Sequence, residues 1–391
     1  MASRQTRGRA LRVAAVMASG IVAGSAAAAA VVTLRFARTV VTPPTSRKDD
    51  IRVLGVDSAN DTITLRRSDE SAMRGIYGFW FNGGSGYARL GDVINSDDRI
   101  VVRAVEQVLF GRLDRATKGR MTGWYYLGPW DLTLPFEKLS IDTTLGPAPA
   151  WLVPSERTSH DWVIQVHGWG SARPEGLRAA PVARRDGWNS LHISYRNDGT
   201  APESPDNRLG LGGTEWRDLA AAVDYVTECG AKRIVLMGWS MGGATVLQLL
   251  LRSPKHHERV VGVVLDSPAI DWVDILQFQG TLKGLPRVGG TVIARFLGHH
   301  RTSRLVGLAT PIDFAALDAV THAPAFNVPM LVMHSADDGF VPSDGSFRLA
   351  QARPDLVQFE GFTGARHAKL WNYDPERWER VLSDWLAARA D

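Results

Sequence analysis

The sequence predicts an α/β fold: a mostly parallel central sheet flanked by helices, with attachments before it and one insertion within it. From about residue 130, short apolar runs alternate with stretches of helical spacing, the rhythm of βαβ units. The apolar runs are unbroken rather than alternating, as strands covered on both faces require. The length of 391 residues, with 45% hydrophobic and 22% charged residues, fits one large domain with additions and excludes a mostly disordered or fibrous chain.

In the main domain, 130–391, strands are expected at 162–167, 190–195, 233–237, 260–265, 330–334 and 357–362. Helices are expected at 216–227, with Thr214 as N-cap, and at 243–251, 346–352 and 375–388. The stretch 271–323 breaks this rhythm with scattered Trp, Phe and Leu, several glycines, Pro286 and Pro311. It reads as a cap over the C-terminal edge of the sheet. Upstream, residues 51–128 carry strand-like runs at 51–56, 62–66, 77–81 and 99–108 between turn-forming clusters. That length suits a small β-rich accessory segment packed on the main domain, not a catalytic core.

The N-terminal arm is distinct in charge. Residues 1–48 hold eight Arg or Lys and no Asp or Glu, whereas the other 343 residues hold 37 basic and 41 acidic groups. A basic arm on an acidic body argues against nucleic-acid binding, which places the basic face on the fold. Residues 13–34 form a run of 22 without a charge. Such a helix is long enough to span a bilayer, and the arginines of the arm at 1–12 would stay on the cytoplasmic side. The expectation is a single-pass membrane anchor with the main domain on the outer side. A signal peptide cleaved near Ala27–Ala30, giving a secreted protein, is the alternative. Residues 35–50 read as a linker. The lone Cys229 excludes an intrachain disulfide and a cysteine-rich metal site. The pairs His256-His257 and His299-His300 lack the partners of a metal site and are expected at the surface. No cofactor is expected.

The chemistry concentrates at Gly238-Trp239-Ser240-Met241-Gly242, a G-x-S-x-G match between an apolar strand and a helical stretch. In that setting the serine sits on a tight strand-to-helix turn, where small flanking residues let strand and helix approach. A serine hydroxyl needs a base to become a nucleophile. With such a turn the chain order is serine, acid, histidine. The loop after strand 330–334 offers Asp337 and Asp338 as the acid. Of the ten histidines only His367 follows that loop. Donors for an oxyanion are expected from the backbone of Met241 and of Trp169, the latter in the glycine-rich turn His167-Gly168-Trp169-Gly170. The Trp169 side chain would either line an acyl pocket or pack as an ordinary aromatic. His167 reads as a brace for this loop rather than a base. The loop that begins Tyr195-Arg196-Asn197-Asp198-Gly199 is either a solvated connection or a substrate contact.

Together these motifs resemble the α/β-hydrolase superfamily over about residues 130–390. The segment His334-Ser335-Ala336-Asp337-Asp338-Gly339-Phe340-Val341-Pro342 is similar to its H-G-x-x-D-x-x-V-P pattern, with Ser335 in place of glycine. The resemblance implies Asp338 as the acid and an acyl-enzyme on Ser240 resolved by water. Asp266-Ser267-Pro268 further resembles membrane-anchored esterase and acyl-peptidase-like members. The implied function is a serine hydrolase acting on a small-molecule carboxylic ester, with Ser240, Asp338 and His367 as triad. Amide cleavage by an acyl-peptidase-like enzyme and a non-catalytic membrane-tethered scaffold are the alternatives. Transfer of the acyl group to another alcohol is also compatible.

Overall fold

The computed structural model describes residues 30–45 and 47–390. Residues 30–41 form a helix, α1, whose Ala37 and Val41 are buried in the main core. The linker expected at 35–50 is therefore corrected: its first part is helical and packed. Phe36, Ala37, Val40 and Val41 fall on one helical face, which supplies the reason. The uncharged run 13–34 lies outside the described residues as far as residue 29. Among the described residues no helix is long and apolar enough to cross a membrane.

Residues 51–122 close into a six-stranded antiparallel barrel of β1 (Ile51–Asp57), β2 (Thr62–Arg66), β3 (Tyr77–Phe81), β4 (Gly86–Ser96), β5 (Ile100–Phe110) and β6 (Lys118–Thr122), in the order β1-β2-β5-β4-β3-β6. Ile63, Leu65, Tyr77, Phe79, Phe81 and Leu90 fill it. Strands β4 and β6 were not expected. The β4 sequence is glycine-containing and half polar, and its pairing with β5 slips register repeatedly, which bends the ribbon into closure. Arg103 is fully buried in this barrel. Its guanidinium donates to the carbonyls of Ser71, Met73, Gly75 and Gly91, so it organises the loop between β2 and β3.

The main domain is built on an eight-stranded sheet, β7 (Glu137–Thr143), β8 (Gly146–Val153), β9 (Asp161–Val166), β10 (Asn189–Ile193), β11 (Arg233–Trp239), β12 (Val260–Asp266), β13 (Met330–Ser335) and β14 (Val357–Phe362). The order is β14-β13-β12-β11-β9-β10-β8-β7. Strands β9 to β14 pair in parallel, while β7 and β8 form an antiparallel edge. The edge pair escaped the sequence reading because its residues are polar or proline-interrupted. The helices are α2 (Ala180–Arg185), α3 (Trp216–Glu228), α4 (Met241–Arg252), α5 (Trp272–Leu282), α6 (Arg287–Gly298), α7 (Asp344–Ala352), α8 (Leu370–Tyr373) and α9 (Pro375–Ala387). Strand residues alternate between two cores. Ile234 and Leu236 join the core shared with α3 and α4, and Val235 and Met237 the core shared with α2 and α9.

Helix α3 begins without the expected Thr214 cap. Glu215 precedes it, and its buried carboxylate accepts the backbone N–H groups of Gly210 and Gly212. The cap insertion contains α5 and α6, and Asp271 caps α5 by accepting from Val273 and Asp274. The barrel docks on α8 and the segments flanking it: Ile76 N–H donates to Asn372 O at 2.9 Å and Asn372 Nδ2 returns a bond to Ile76 O at 2.9 Å. Ion pairs Arg74–Asp374 and Arg366–Asp69 at 3.0 and 2.8 Å, and Lys369–Glu70, join the same surfaces.

Candidate active site

The site lies at the C-terminal ends of neighbouring parallel strands, where open α/β sheets form ligand crevices. Ser240 follows β11, the loop with Trp169 follows β9, Asp338 follows β13 and His367 follows β14. Ser240 adopts φ 51° and ψ −117°, a strained conformation for a residue with a side chain. The crossing it sustains is tight: a Cβ on Gly242 would fall 2.0 Å from the carbonyl oxygen of Val166. Only glycine fits there, which explains the last position of the motif in steric terms. Ser240 N–H is anchored on Asp266 O at 3.0 Å.

The three side chains expected to act together are brought together. Ser240 Oγ lies 2.8 Å from His367 Nε2, and His367 Nδ1 lies 2.7 Å from Asp338 Oδ2. Asp338 Oδ1 accepts the N–H groups of Phe340 and Val341 at 2.8 and 2.9 Å. Burial alone would raise the Asp338 pKa. The His367 charge and hydrogen bonds from His334 and His367 outweigh it and hold the carboxyl well below the usual range. Burial alone would lower the His367 pKa, but the adjacent Asp338 carboxylate outweighs it and the net direction is upward. Asp337, the other acid in that loop, is exposed and bonds Gly364 N–H at 2.6 Å, so it fixes the His367 loop rather than the imidazole.

Met241 is the first residue of α4, and the first N–H groups of a helix have no intrahelical partner. Trp169 lies in the turn after β9 and lines the cleft over Ser240. Gly168 brings that turn against Ser240, since a Cβ on it would lie 2.9 Å from Ser240 Cβ. The turn is braced from below. Gly168 N–H donates to the buried Glu175 carboxylate at 2.6 Å, and Tyr195 Oη donates to Gly168 O at 2.9 Å. His167 is buried against Tyr195 and bonds Asp198 at 3.1 Å. The segment 195–199 thus holds the turn from behind.

From the sequence alone, three residues of this arrangement carry no assigned role. His334 is buried and shares Asp338 with His367; its signal was its place at the end of an apolar strand. Glu175 had no local signal, because its partner is a backbone N–H across the loop. Ser267 donates to Asp266 and accepts Ala368 N–H at 3.1 Å, which fixes the residue after His367. The surface expectation also fails for His256, which is buried against Ser253 and Asp224.

The cleft over Ser240 encloses about 760 Å³ and is walled by both parts of the chain. Trp169, Phe340 and His367 face Glu70 and Met121 of the barrel region and Trp124 just after it. Trp124 Nε1 donates to Ser171 Oγ at 2.9 Å, joining that side to the Trp169 turn.

Comparison with known proteins agrees with this division. Residues 52–122 match a domain of unknown function, and residues 163–381 match the alpha/beta hydrolase family. An esterase from Pyrococcus furiosus superposes with a TM-score of 0.51 at 18% identity, over 67% of this chain and 94% of that one. A thermophilic esterase from Thermogutta terrifontis gives 0.45 at 20%, over 65% and 99%. An esterase from Exiguobacterium antarcticum gives 0.45 at 16%, over 64% and 99%. At such identities the likeness to the Pyrococcus protein is one of fold. With the family match spanning more than half of its residues, the chain belongs to the α/β-hydrolase family.

Proposed function

We propose that the chain is a serine hydrolase that cleaves carboxylic esters through an acyl-enzyme on Ser240. The observation that carries this reading is the continuous hydrogen-bonded line Ser240–His367–Asp338, at 2.8 and 2.7 Å. In the first step Ser240 Oγ bonds to the ester carbonyl carbon while its proton passes to His367 Nε2. Asp338 holds Nδ1–H and stabilises the imidazolium. The negative oxygen of the tetrahedral adduct takes the N–H groups of Met241 and Trp169. Collapse breaks the bond to the alkoxide, which leaves as an alcohol with the proton from His367. Water then repeats the sequence: His367 takes its proton, the acid is released and Ser240 regains its hydrogen. The name of the Pyrococcus furiosus neighbour, an esterase, favours ester over amide.

The test is labelling of the full chain with a fluorophosphonate and hydrolysis of p-nitrophenyl esters, for wild type, Ser240→Ala and His367→Ala. Labelling and turnover by wild type alone support the reading; a folded wild type that neither labels nor hydrolyses any ester would end it. A membrane-anchored, outward-facing placement belongs to the same proposal and rests on the charge pattern of residues 1–34. Protease protection of the catalytic domain in intact cells would contradict it.

A further inference from the structure

The N–H of Trp169, in the wall of the cleft over Ser240, has no acceptor among the described residues. A free N–H serves an oxyanion only if its direction is fixed beforehand. Two holds on its turn come from the main domain, where Glu175 takes Gly168 N–H and Tyr195 Oη reaches Gly168 O. Both act on the Gly168 side of Trp169. The Gly170 side is held from the N-terminal segment instead. Arg47 Nη2 donates to Gly170 O at 2.5 Å, and that carbonyl has no other donor among the described residues. Pro44 packs on the same residue, so that a Cβ on Gly170 would lie 2.5 Å from Pro44 Cγ. Trp169 Nε1 donates to Val40 O at 2.9 Å, which pins the indole to the end of α1. The segment is itself anchored: Ala37 and Val41 are fully buried, and Leu209 N–H donates to Val41 O at 2.8 Å.

We propose that Arg47, with Val40 and Pro44 beside it, is a positioning residue of the reaction: it fixes the Gly170 side of the turn and so aims the Trp169 N–H. All three residues lie outside the family-matched stretches 52–122 and 163–381, so the hydrolase domain borrows this hold from the N-terminal segment. The inference rests on the ester-cleaving reading above, in which that N–H meets the oxyanion. The chemistry of the hold suits the task. A guanidinium donates a charge-assisted bond, shorter and stronger than a neutral one. Arg47 has no carboxylate within ion-pair distance among the described residues, so the carbonyl is its one close polar partner there. No bond or proton changes hands at Arg47; it acts only through the turn. Its removal leaves the Gly168 side held and the Gly170 side loose. A shift of about 1 Å in such a donor is enough to cost up to about 10²-fold in rate.

The experiment uses the full chain with p-nitrophenyl butyrate, as wild type, Arg47→Ala, Arg47→Lys and Trp169→Phe. Inhibition by butylboronic acid is measured alongside, because its tetrahedral adduct on Ser240 mimics the oxyanion. Arg47→Ala should lower kcat between about 10- and 100-fold. An interaction realised only in the transition state leaves binding alone, so KM should stay within about twofold. The boronate inhibition constant should rise by the same factor as kcat falls. Arg47→Lys, which can still donate to the carbonyl, should keep most of the rate. Arg47 is exposed, so added methylguanidinium can enter its place and should restore Arg47→Ala while leaving Arg47→Lys unchanged. Trp169→Phe loses only the bond to Val40 O and should show the same joint fall in kcat and boronate affinity. A bond that merely held α1 down would change neither constant of the folded protein. Wild-type kcat in Arg47→Ala, or a fall in kcat without weaker boronate binding, would overturn the positioning role and leave the ester reading intact. No hydrolysis of any ester by wild type would overturn both.

Discussion

One oxygen of Asp338 serves two histidines: Oδ2 lies 2.7 Å from His367 Nδ1 and 3.1 Å from His334 Nε2. His334 is fully buried; its Nε2 faces two acceptors, Asp338 Oδ2 and Val341 O at 3.2 Å, so Nε2 carries the proton, while Nδ1 meets Ser346 Oγ at 2.8 Å. The carboxylate is thereby held ionised and aimed before any substrate arrives.

That arrangement sets the pH dependence. In the proposed mechanism His367 must be neutral to take the Ser240 proton, and its pKa is raised above the ordinary 6.5 by Asp338 against the effect of burial. Activity should rise with pH through that raised value, and the acid limb of kcat/KM should lie above pH 6.5. Asp338→Asn removes the charge, so the limb should move to lower pH while kcat falls about 10⁴-fold. A pH–rate series on both proteins checks this. An unmoved limb would show that another group titrates.

The turn after β9 should be sensitive to a single methyl group. In Gly168→Ala the new Cβ would press on Ser240 Cβ at 2.9 Å and on Trp239 O at 3.1 Å, displacing the Trp169 N–H. Loss of one oxyanion donor costs roughly 10²–10³ in kcat. A loss of that size is expected, with little change in the circular dichroism spectrum. Near-normal kcat would remove Trp169 from the proposed mechanism.

Asp198 should contribute acid-sensitive stability. Burial would raise its pKa, but His167 and the N–H groups of Thr200 and Ala201 outweigh it and bring it to about 2. A carboxyl depressed below its unfolded value stabilises the fold above pH 4, and the contribution is lost as pH falls toward 2. The full amount is about 2 kcal/mol, roughly half of it gone by pH 3. Urea unfolding at pH 6 and pH 3 should show this extra loss for wild type relative to Asp198→Asn. Equal losses in the two proteins would contradict it.

How far the site could be read from sequence depends on how local its causes are. Ser240, Asp338 and His367 each follow an apolar strand, and a parallel sheet delivers all its C-terminal loops to one edge. Residue type and chain order are enough to nominate Ser240, His367 and the pair Asp337-Asp338; the resemblance to the H-G-x-x-D-x-x-V-P pattern implies Asp338. Glu175 and Ser267 hold backbone N–H groups contributed by distant loops, and no spacing rule encodes such partners. Strands β4, β6, β7 and β8 were missed for a related reason. Their composition is polar, glycine-bearing or proline-bearing, and they are strands because a barrel or a sheet edge pairs them. The packing of α1 has a visible apolar face, but the Pro-containing polar stretch 40–50 at its end reads as a linker.

Arg103 gives the barrel a single point of failure. Its guanidinium satisfies the carbonyls of Ser71, Met73, Gly75 and Gly91 inside the fold. Arg103→Met keeps the side-chain length but leaves those acceptors unpaired, at a cost of about 3 kcal/mol or more. Limited proteolysis should then cut within residues 51–122 before the main domain. Wild-type resistance in the variant would show that other groups satisfy the loop.

The measurement that bears most directly on the central claim is a rapid acid quench of the full chain with p-nitrophenyl butyrate, followed by mass analysis of the peptide carrying Ser240. The account predicts a butyryl adduct on Ser240 that forms with the burst of p-nitrophenol and decays at the rate of turnover. Turnover without any adduct, or an adduct on another residue, would contradict it.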